Sequence, residues 1–152
     1  MDSLVRNSAS INEMLTRYGV KFGLYKNGSF HEQIFPFDPI ARTIEADEWK
    51  ELSAGLAQRV RALNAFLLDI YGKKRIIADG VIPPEFVFSS PGFLKACDGV
   101  MPPEGVYTHI AGIDLVQAHD KSWYVLEDNL RIPSGASYPL IAREICRRAS
   151  PQ

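Results

Sequence analysis

The longest regular pattern of hydrophobic positions lies in the first half of the chain and predicts one long helix. Between Glu45 and Tyr71, seven apolar side chains recur at spacings of three or four residues, the repeat of one helix face. They are Trp49, Leu52, Leu56, Val60, Leu63, Leu67 and Ile70. Acidic residues in the first turns suit the positive end of the helix dipole, and Gly72 favours termination. The same pattern places Arg59 and Arg61 on the polar side of this helix.

Two segments with apolar alternation predict β-hairpins. The dipeptide Asn27-Gly28 lies between the runs Val20–Leu24 and Phe30–Phe35, and it favours a two-residue turn because both turn positions require positive φ. Later in the chain, Ile113–Val116 and Trp123–Leu126 lie on either side of the segment Ala118–Ser122, a suitable length for a hairpin loop. These patterns predict two antiparallel strand pairs.

Shorter patterns complete the predicted fold. The spacing of apolar residues predicts a helix over Ser10–Tyr18, a strand over Val106–Ile110 and a helix over Ser137–Arg148. In the last of these, Leu140, Ile141 and Ile145 are predicted to lie on one side of the helix, with Arg143, Arg147 and Arg148 on the other. Because strands and helices do not alternate in a strict βαβ order, the predicted class is α+β. We expect an antiparallel or mixed sheet with a long helix and flanking shorter helices.

Composition narrows the possible partners and location. The 152 residues carry 17 Lys and Arg against 18 Asp and Glu, a formal net charge of −1. This balance predicts no basic surface for nucleic acid, and the absence of a run of about 18 apolar residues predicts no membrane span. The first residues lack the apolar core of a signal peptide, so Cys97 and Cys146 are expected to be reduced thiols. We predict a cytoplasmic protein.

Ionisable residues interrupt the second predicted hairpin and suggest a metal site. Asp114 lies within an apolar strand, and Glu127, Asp128 and Asn129 close the next one. Strand alternation puts Glu127 and Asn129 on a shared face, and hairpin pairing allows Asp114 and Glu127 to approach. Facing carboxylates repel, and a divalent cation removes the repulsion; oxygen ligands suit Mg²⁺ rather than zinc. The alternative is a polar strand end that faces solvent and binds no metal.

The loop that follows this strand offers groups for an anion. Arg131 supplies a cation, and the backbone amides around Ser134 and Gly135 could form an anion-binding nest leading into the last helix. Together with the carboxylates and Asn129, these residues would suit a metal–phosphate group.

The strand pair resembles the metal-binding strands of ATP-grasp carboxylate–amine ligases, in which an Asp on one strand faces Glu-x-Asn at the end of the next. A closer resemblance covers nearly the whole chain from about Ser8. It is to the circularly permuted ATP-grasp type 2 family, relatives of glutathionylspermidine synthase. The similar stretches are residues 19–22, 35–40, 58–67, 69–71, 79–83, 105–110 and 126–131.

The resemblance implies an ATP-dependent ligase that phosphorylates a substrate carboxylate and lets an amine attack the acyl-phosphate. Matched onto this chain, Asp114, Glu127 and Asn129 would hold Mg²⁺, or Mn²⁺ in its place. Arg131 would contact phosphate or carboxylate and is the predicted catalytic residue. Ser134 and Gly135, with Arg131, would bind ATP. Asp128 would point away from the metal and only support the site.

In the resembled family this region opens a much longer chain. We therefore expect residues 1–152 to form a single partial domain, with the remainder of the fold absent and the ligase inactive alone. Its expected partners are ATP, an unidentified carboxylate and amine, and the missing C-terminal part in cis or in trans. Two alternatives stay open: a non-catalytic binding module, and a truncated remnant of such a ligase.

Overall fold

The computed structural model describes residues 2–38, 40 and 42–149, and the side chains of residues 8–38, 40 and 42–148. They form two compact units, unit one (Met1–Thr43 with Ser134–Gln152) and unit two (Ile44–Pro133). Helices and strands in the described part are α1 (Asp2–Arg17), β1 (Lys21–Lys26), β2 (Ser29–Ile34), α2 (Ala46–Ile70), α3 (Arg75–Ala78), α4 (Pro84–Phe88), β3 (Gly112–Gln117), β4 (Trp123–Asn129) and α5 (Ser137–Ala149). Helices combined with two small antiparallel sheets confirm the α+β prediction.

Unit one contains the β1–β2 hairpin and the helices α1 and α5. Asn27 and Gly28 both have positive φ, 53° and 76°, which confirms the predicted two-residue turn. The buried core described in this unit consists of Ile11 and Leu15 on α1 and Ile145 on α5. The apolar face predicted for α5 is thus correct for Ile145.

Unit two is organised around α2, which confirms the predicted long helix. At its C-terminal end, Ile70 and Tyr71 are buried with Val87 of α4. The Tyr71 ring stacks on Phe93 at 5.0 Å between centroids, and its hydroxyl accepts a hydrogen bond from the Leu94 amide at 2.9 Å. These contacts hold the irregular segment after α4 against the helix end.

The strand predicted over Val106–Ile110 is wrong. This segment lies in irregular structure, because its backbone is bonded to a side chain of α2 rather than to another strand. The Tyr107 amide donates to Asn64 Oδ1 at 2.8 Å, and Asn64 Nδ2 donates to the Gly105 carbonyl at 2.9 Å. One asparagine therefore satisfies the Tyr107 amide and the carbonyl of Gly105 just before the segment.

Asp69 joins the end of α2 to the start of α3. Its carboxylate accepts the amides of Ile76 at 2.9 Å and Arg75 at 3.0 Å. These bonds, that of Ile76 above all, hold the pKa of Asp69 below its ordinary value because they favour the charged form. The carboxylate thus satisfies first-turn amides that have no partner within α3.

Replacing Asp69 with alanine is expected to lower the thermal unfolding midpoint by a few degrees at pH 7. Since the folded-state pKa is lowered, the contribution is present above the ordinary pKa and is lost as the pH falls below about 4. Thermal melts at pH 7 and pH 3 measure this, with Asp79→Ala as a control for loss of an exposed neighbouring carboxylate. If Asp69→Ala lowers the unfolding midpoint by the same amount at pH 3 as at pH 7, the carboxylate does not stabilise the fold in its charged form.

Candidate functional site

The β3–β4 hairpin brings together the acidic residues that the sequence singled out. Its strands are antiparallel, as predicted, with Asp114 opposite Glu127 and Gly112 opposite Asn129. Nearer the loop, Leu115 lies opposite Val125, so the register shifts by one residue between the two parts of the ladder. The shift is a β-bulge that leaves Leu126 without a partner on β3.

This bulge determines which side chains share a face. If the register of Leu115 and Val125 continued, Asp114 would lie opposite Leu126, and Glu127 would point to the inner face with Val125. In the structure Leu126 and Glu127 are both exposed, whereas Val125 and Asp128 on either side are partly buried. The bulge therefore turns Glu127 to the outer face, where Asp114 is also exposed.

The outer face offers oxygen ligands next to one another. Asn129 Nδ2 donates to Glu127 Oε1 at 2.8 Å, and Asp114 lies directly across the ladder from Glu127. Within the described part of the chain, no lysine or arginine forms an ion pair with either carboxylate. Two facing carboxylates thus lack a protein cation to balance them.

The donor set fits Mg²⁺, which proteins commonly hold through one or two carboxylates with substrate phosphates and waters completing the shell. Among the described residues no group of three or more His, Cys, Asp or Glu could hold a metal ion. A cation bound at the outer face would accordingly depend on Asp114, Glu127 and the amide oxygen of Asn129, together with oxygens from outside the protein.

Gly112 allows the chain after β4 to pack closely against this end of the hairpin. A Cβ atom on Gly112 would lie 2.9 Å from Cβ of Pro133 and 3.5 Å from Cβ of Asn129. The first distance is too short for two carbon atoms, so a side chain here would displace Pro133. The absence of a side chain at Gly112 thus helps to set the position of the strand end that carries Asn129.

Asp128 points to the opposite face, as strand alternation predicts, and is held there by Arg59 of α2. Nε and Nη2 of Arg59 donate to the two carboxylate oxygens of Asp128 at 2.8 and 2.7 Å. The hydrogen bond from Arg59 holds the pKa of Asp128 below its ordinary value, and that of Arg59 is raised in return. The helix pattern placed Arg59 on the polar side of α2 but gave no sign of this pair.

A second contact joins α2 to the other end of β4. Glu48 Oε1 accepts hydrogen bonds from Trp123 Nε1 and from Gln117 Nε2, both at 2.8 Å. Glu48 precedes Arg59 along α2, and their partners Trp123 and Asp128 follow in the same order along β4. The helix and β4 therefore run in the same direction.

The other predicted site residues lie after β4. Arg131 is exposed in unit two, and within the described part of the chain it has no ion-pair partner. Ser134 and Gly135 are exposed in the 3-10 turn Ser134–Ala136 immediately before α5, and they belong to unit one. The structure thus brings Asp114, Glu127 and Asn129 together, while the roles of Arg131, Ser134 and Gly135 stay predictions.

The family model for circularly permuted ATP-grasp type 2 proteins matches residues 41–152, which include the whole of unit two from its first helix onward. The chain belongs to this family. Membership in the circularly permuted ATP-grasp type 2 family confirms the resemblance carried by the sequence motifs. The partial ATP-grasp-like fold is likewise confirmed.

Several curated relatives of this ATP-grasp chain are known by sequence. An uncharacterised protein of Synechocystis sp. is 49% identical over 137 residues, which are 90% of this chain and 28% of the relative. A Frankia alni protein named "Putative glutamate--cysteine ligase 2-3" is 42% identical over 137 residues, 90% of this chain and 16% of its own length. An uncharacterised Mycobacterium bovis protein is 46% identical over 133 residues, 88% of this chain and 23% of that protein. The chain spans less than a third of the length of these relatives.

Two further features of this ATP-grasp chain were predicted from composition. Cys97 and Cys146 are free thiols, as expected. Among the described helices, none combines the length and the apolar character needed to cross a bilayer.

Proposed function

We propose that this chain supplies the Mg²⁺-binding portion of an ATP-dependent carboxylate–amine ligase. The observation that carries the proposal is the outer face of the β3–β4 hairpin, where Asp114 and Glu127 face each other and neither forms an ion pair with a lysine or arginine among the described residues. Family membership supports the reaction class, and the name of the Frankia relative, "Putative glutamate--cysteine ligase 2-3", supports amino-acid substrates that carry both reacting groups.

In this proposal the outer face holds the ion that accompanies ATP. Asp114 and Glu127 supply carboxylate oxygens, and Asn129 supplies an amide oxygen once its present bond to Glu127 rearranges around the ion. Bound Mg²⁺, or Mn²⁺ in its place, would neutralise negative charge on the β- and γ-phosphate oxygens. Like charges directly opposite each other on a ladder repel, so a cation bound between Asp114 and Glu127 would stabilise this pair.

The reaction proceeds in two balanced steps. A carboxylate oxygen of the substrate attacks the γ-phosphorus, the bond to ADP breaks, and an acyl-phosphate forms. The amine then attacks the acyl carbon, phosphate leaves, and the amine gives up a proton. Arg131 would orient the phosphate or the carboxylate through its planar fork, which can donate two parallel hydrogen bonds.

Ser134 and Gly135 complete the proposed ATP contacts through backbone amides ahead of α5. We further propose that both units are portions of one partial ATP-grasp domain. Turnover would then require the remainder of the ATP-grasp fold, in cis or in trans, because a phosphate held from one side is not oriented for transfer.

Replacing Glu127 with glutamine tests the metal site directly. We expect Mn²⁺ to bind the original chain and to bind Glu127→Gln at least about tenfold more weakly, as measured by isothermal titration calorimetry. The matched control is Asp120→Asn in the loop of the same hairpin, because Asp120 Oδ1 accepts the Ser122 amide at 3.0 Å and asparagine keeps that oxygen. Equal binding by Glu127→Gln and the original chain, or none by either, would refute the proposal.

A further inference from the structure

Asp128 joins the strand end that carries the proposed ligands to α2. Glu127 and Asn129 point to the outer face, and Asp128 between them points to the inner face. The Asp128 side chain is only 16% exposed, and Arg59 occupies both of its carboxylate oxygens. A two-bond contact of this kind fixes the orientation of the carboxylate as well as its distance from the helix.

We propose that Arg59 is a positioning residue of the metal site. By holding Asp128 against α2, it keeps Glu127 and Asn129 on the outer face opposite Asp114. This inference rests on the proposed function, since it names the group that orients the ligands of that site.

The bulge explains why such a residue is needed. A hairpin with this sequence can pair with the bulge or in a regular ladder, and a regular ladder turns Glu127 inward and Asp128 outward. Only the bulged register lets Asp128 meet Arg59. The Arg59–Asp128 contact therefore stabilises the register in which the two carboxylates of the site face each other.

The position of the bulge agrees with this role. Glu48 holds Trp123 on the inner face before the bulge, and Arg59 holds Asp128 on the inner face after it. Residues 123 and 128 differ by an odd number, so they can share a face only if the strand contains a bulge between them. The two contacts on α2 thus require the extra residue that the ladder accommodates at Leu126.

The sign of the expected effect separates positioning from simple electrostatics. Removing the positive charge of Arg59 would by Coulomb's law alone strengthen the binding of a cation nearby. Loss of positioning acts in the opposite direction, because Glu127 and Asn129 would no longer be held together on one face. The direction of the change in Mn²⁺ affinity is therefore diagnostic.

The experiment is a calorimetric Mn²⁺ titration of the chain and of its Arg59 and Glu48 variants. We expect Arg59→Gln to weaken binding about tenfold, and Arg59→Lys to weaken it less, since lysine keeps the charge but not the fork. The control is Glu48→Ala, which loosens the other end of the hairpin from α2 and should leave the affinity within twofold. Unchanged or tighter binding by Arg59→Gln, or an equal loss in Glu48→Ala, would overturn the positioning role.

A second measurement works without metal and separates the two proposals. Hydrogen exchange of residues 126–129 in the metal-free chain should become faster in Arg59→Gln, whereas exchange of residues 112–114 in Glu48→Ala should not. If the original chain binds no Mn²⁺, the proposed function and the positioning role of Arg59 both fail. If it binds Mn²⁺ and Arg59→Gln changes neither affinity nor exchange, the proposed function stands and the inference about Arg59 is wrong.

Discussion

Replacing Ile145 with alanine is expected to cost unit one about 2–5 kcal/mol of folding free energy. The Ile145 side chain has no exposed surface, and it packs with Leu15, which is also fully buried, and with Ile11. Truncation would leave a cavity between α1 and α5 in a core with few other buried side chains. A loss of this size is comparable to the total stability of a small unit, so α1 and α5 should separate.

The matched control lies on the same helix. Leu140→Ala removes a similar number of atoms from a side chain that is 73% exposed, and we expect a change within about 0.5 kcal/mol. The folding free energy of both variants is measured by urea unfolding, with hydrogen exchange of the α1 and α5 amides as the readout for unit one. Equal losses in the two variants would show that the α1–α5 core does not hold unit one together.

The same comparison shows the limit of pattern analysis in α5. The sequence predicted the helix and placed Leu140 and Ile145 on one apolar side, but of these two only Ile145 is buried. Apolar spacing identifies a helix face without specifying which residues meet another element, and an exposed leucine is common on protein surfaces. The turn at Asn27-Gly28 was predictable because positive φ is a local requirement of those two positions.

What could not be predicted depends on contacts distant in sequence. The Arg59–Asp128 pair joins residues 69 positions apart, and no local pattern marks it. The segment Val106–Ile110 looked like a strand from the spacing of its apolar residues, but its Tyr107 amide is bonded to the Asn64 side chain instead. The strand pattern and the family motifs both supplied the candidate ligands, whereas their shared face depends on the bulge. One feature of the sequence did indicate the bulge. Trp123, Val125 and Glu127 are each two residues apart, so a regular strand would have placed the Glu127 carboxylate on the same inner face as the two apolar side chains.

Deleting Asp128 is expected to reduce Mn²⁺ affinity at least about a hundredfold, the largest effect on binding that the structure suggests. The deletion makes Glu127 and Asn129 neighbours in β4. Neighbouring strand residues point to opposite faces, and moving the bulge along β4 cannot return both to the outer face while Val125 stays inside. Asp128→Ala serves as the comparison, because it removes the contact with Arg59 and keeps the residue count. We expect Asp128→Ala to bind Mn²⁺ about tenfold more weakly than the original chain.

Deleting Leu126 instead should leave the site nearly intact, although this residue is next to Glu127. Leu126 is the unpaired residue of the bulge and is exposed, so its removal converts β3–β4 into a regular ladder. Glu127 would still face Asp114, and Asp128 would still turn toward Arg59. Each deletion removes one residue of β4, but the two predicted results are opposite: loss of Mn²⁺ binding without Asp128 and nearly unchanged binding without Leu126. Calorimetric titration of both deletion variants tests this. If both variants lose Mn²⁺ binding, the site requires the local twist of the bulge as well as the placement of Glu127 and Asn129 on the outer face.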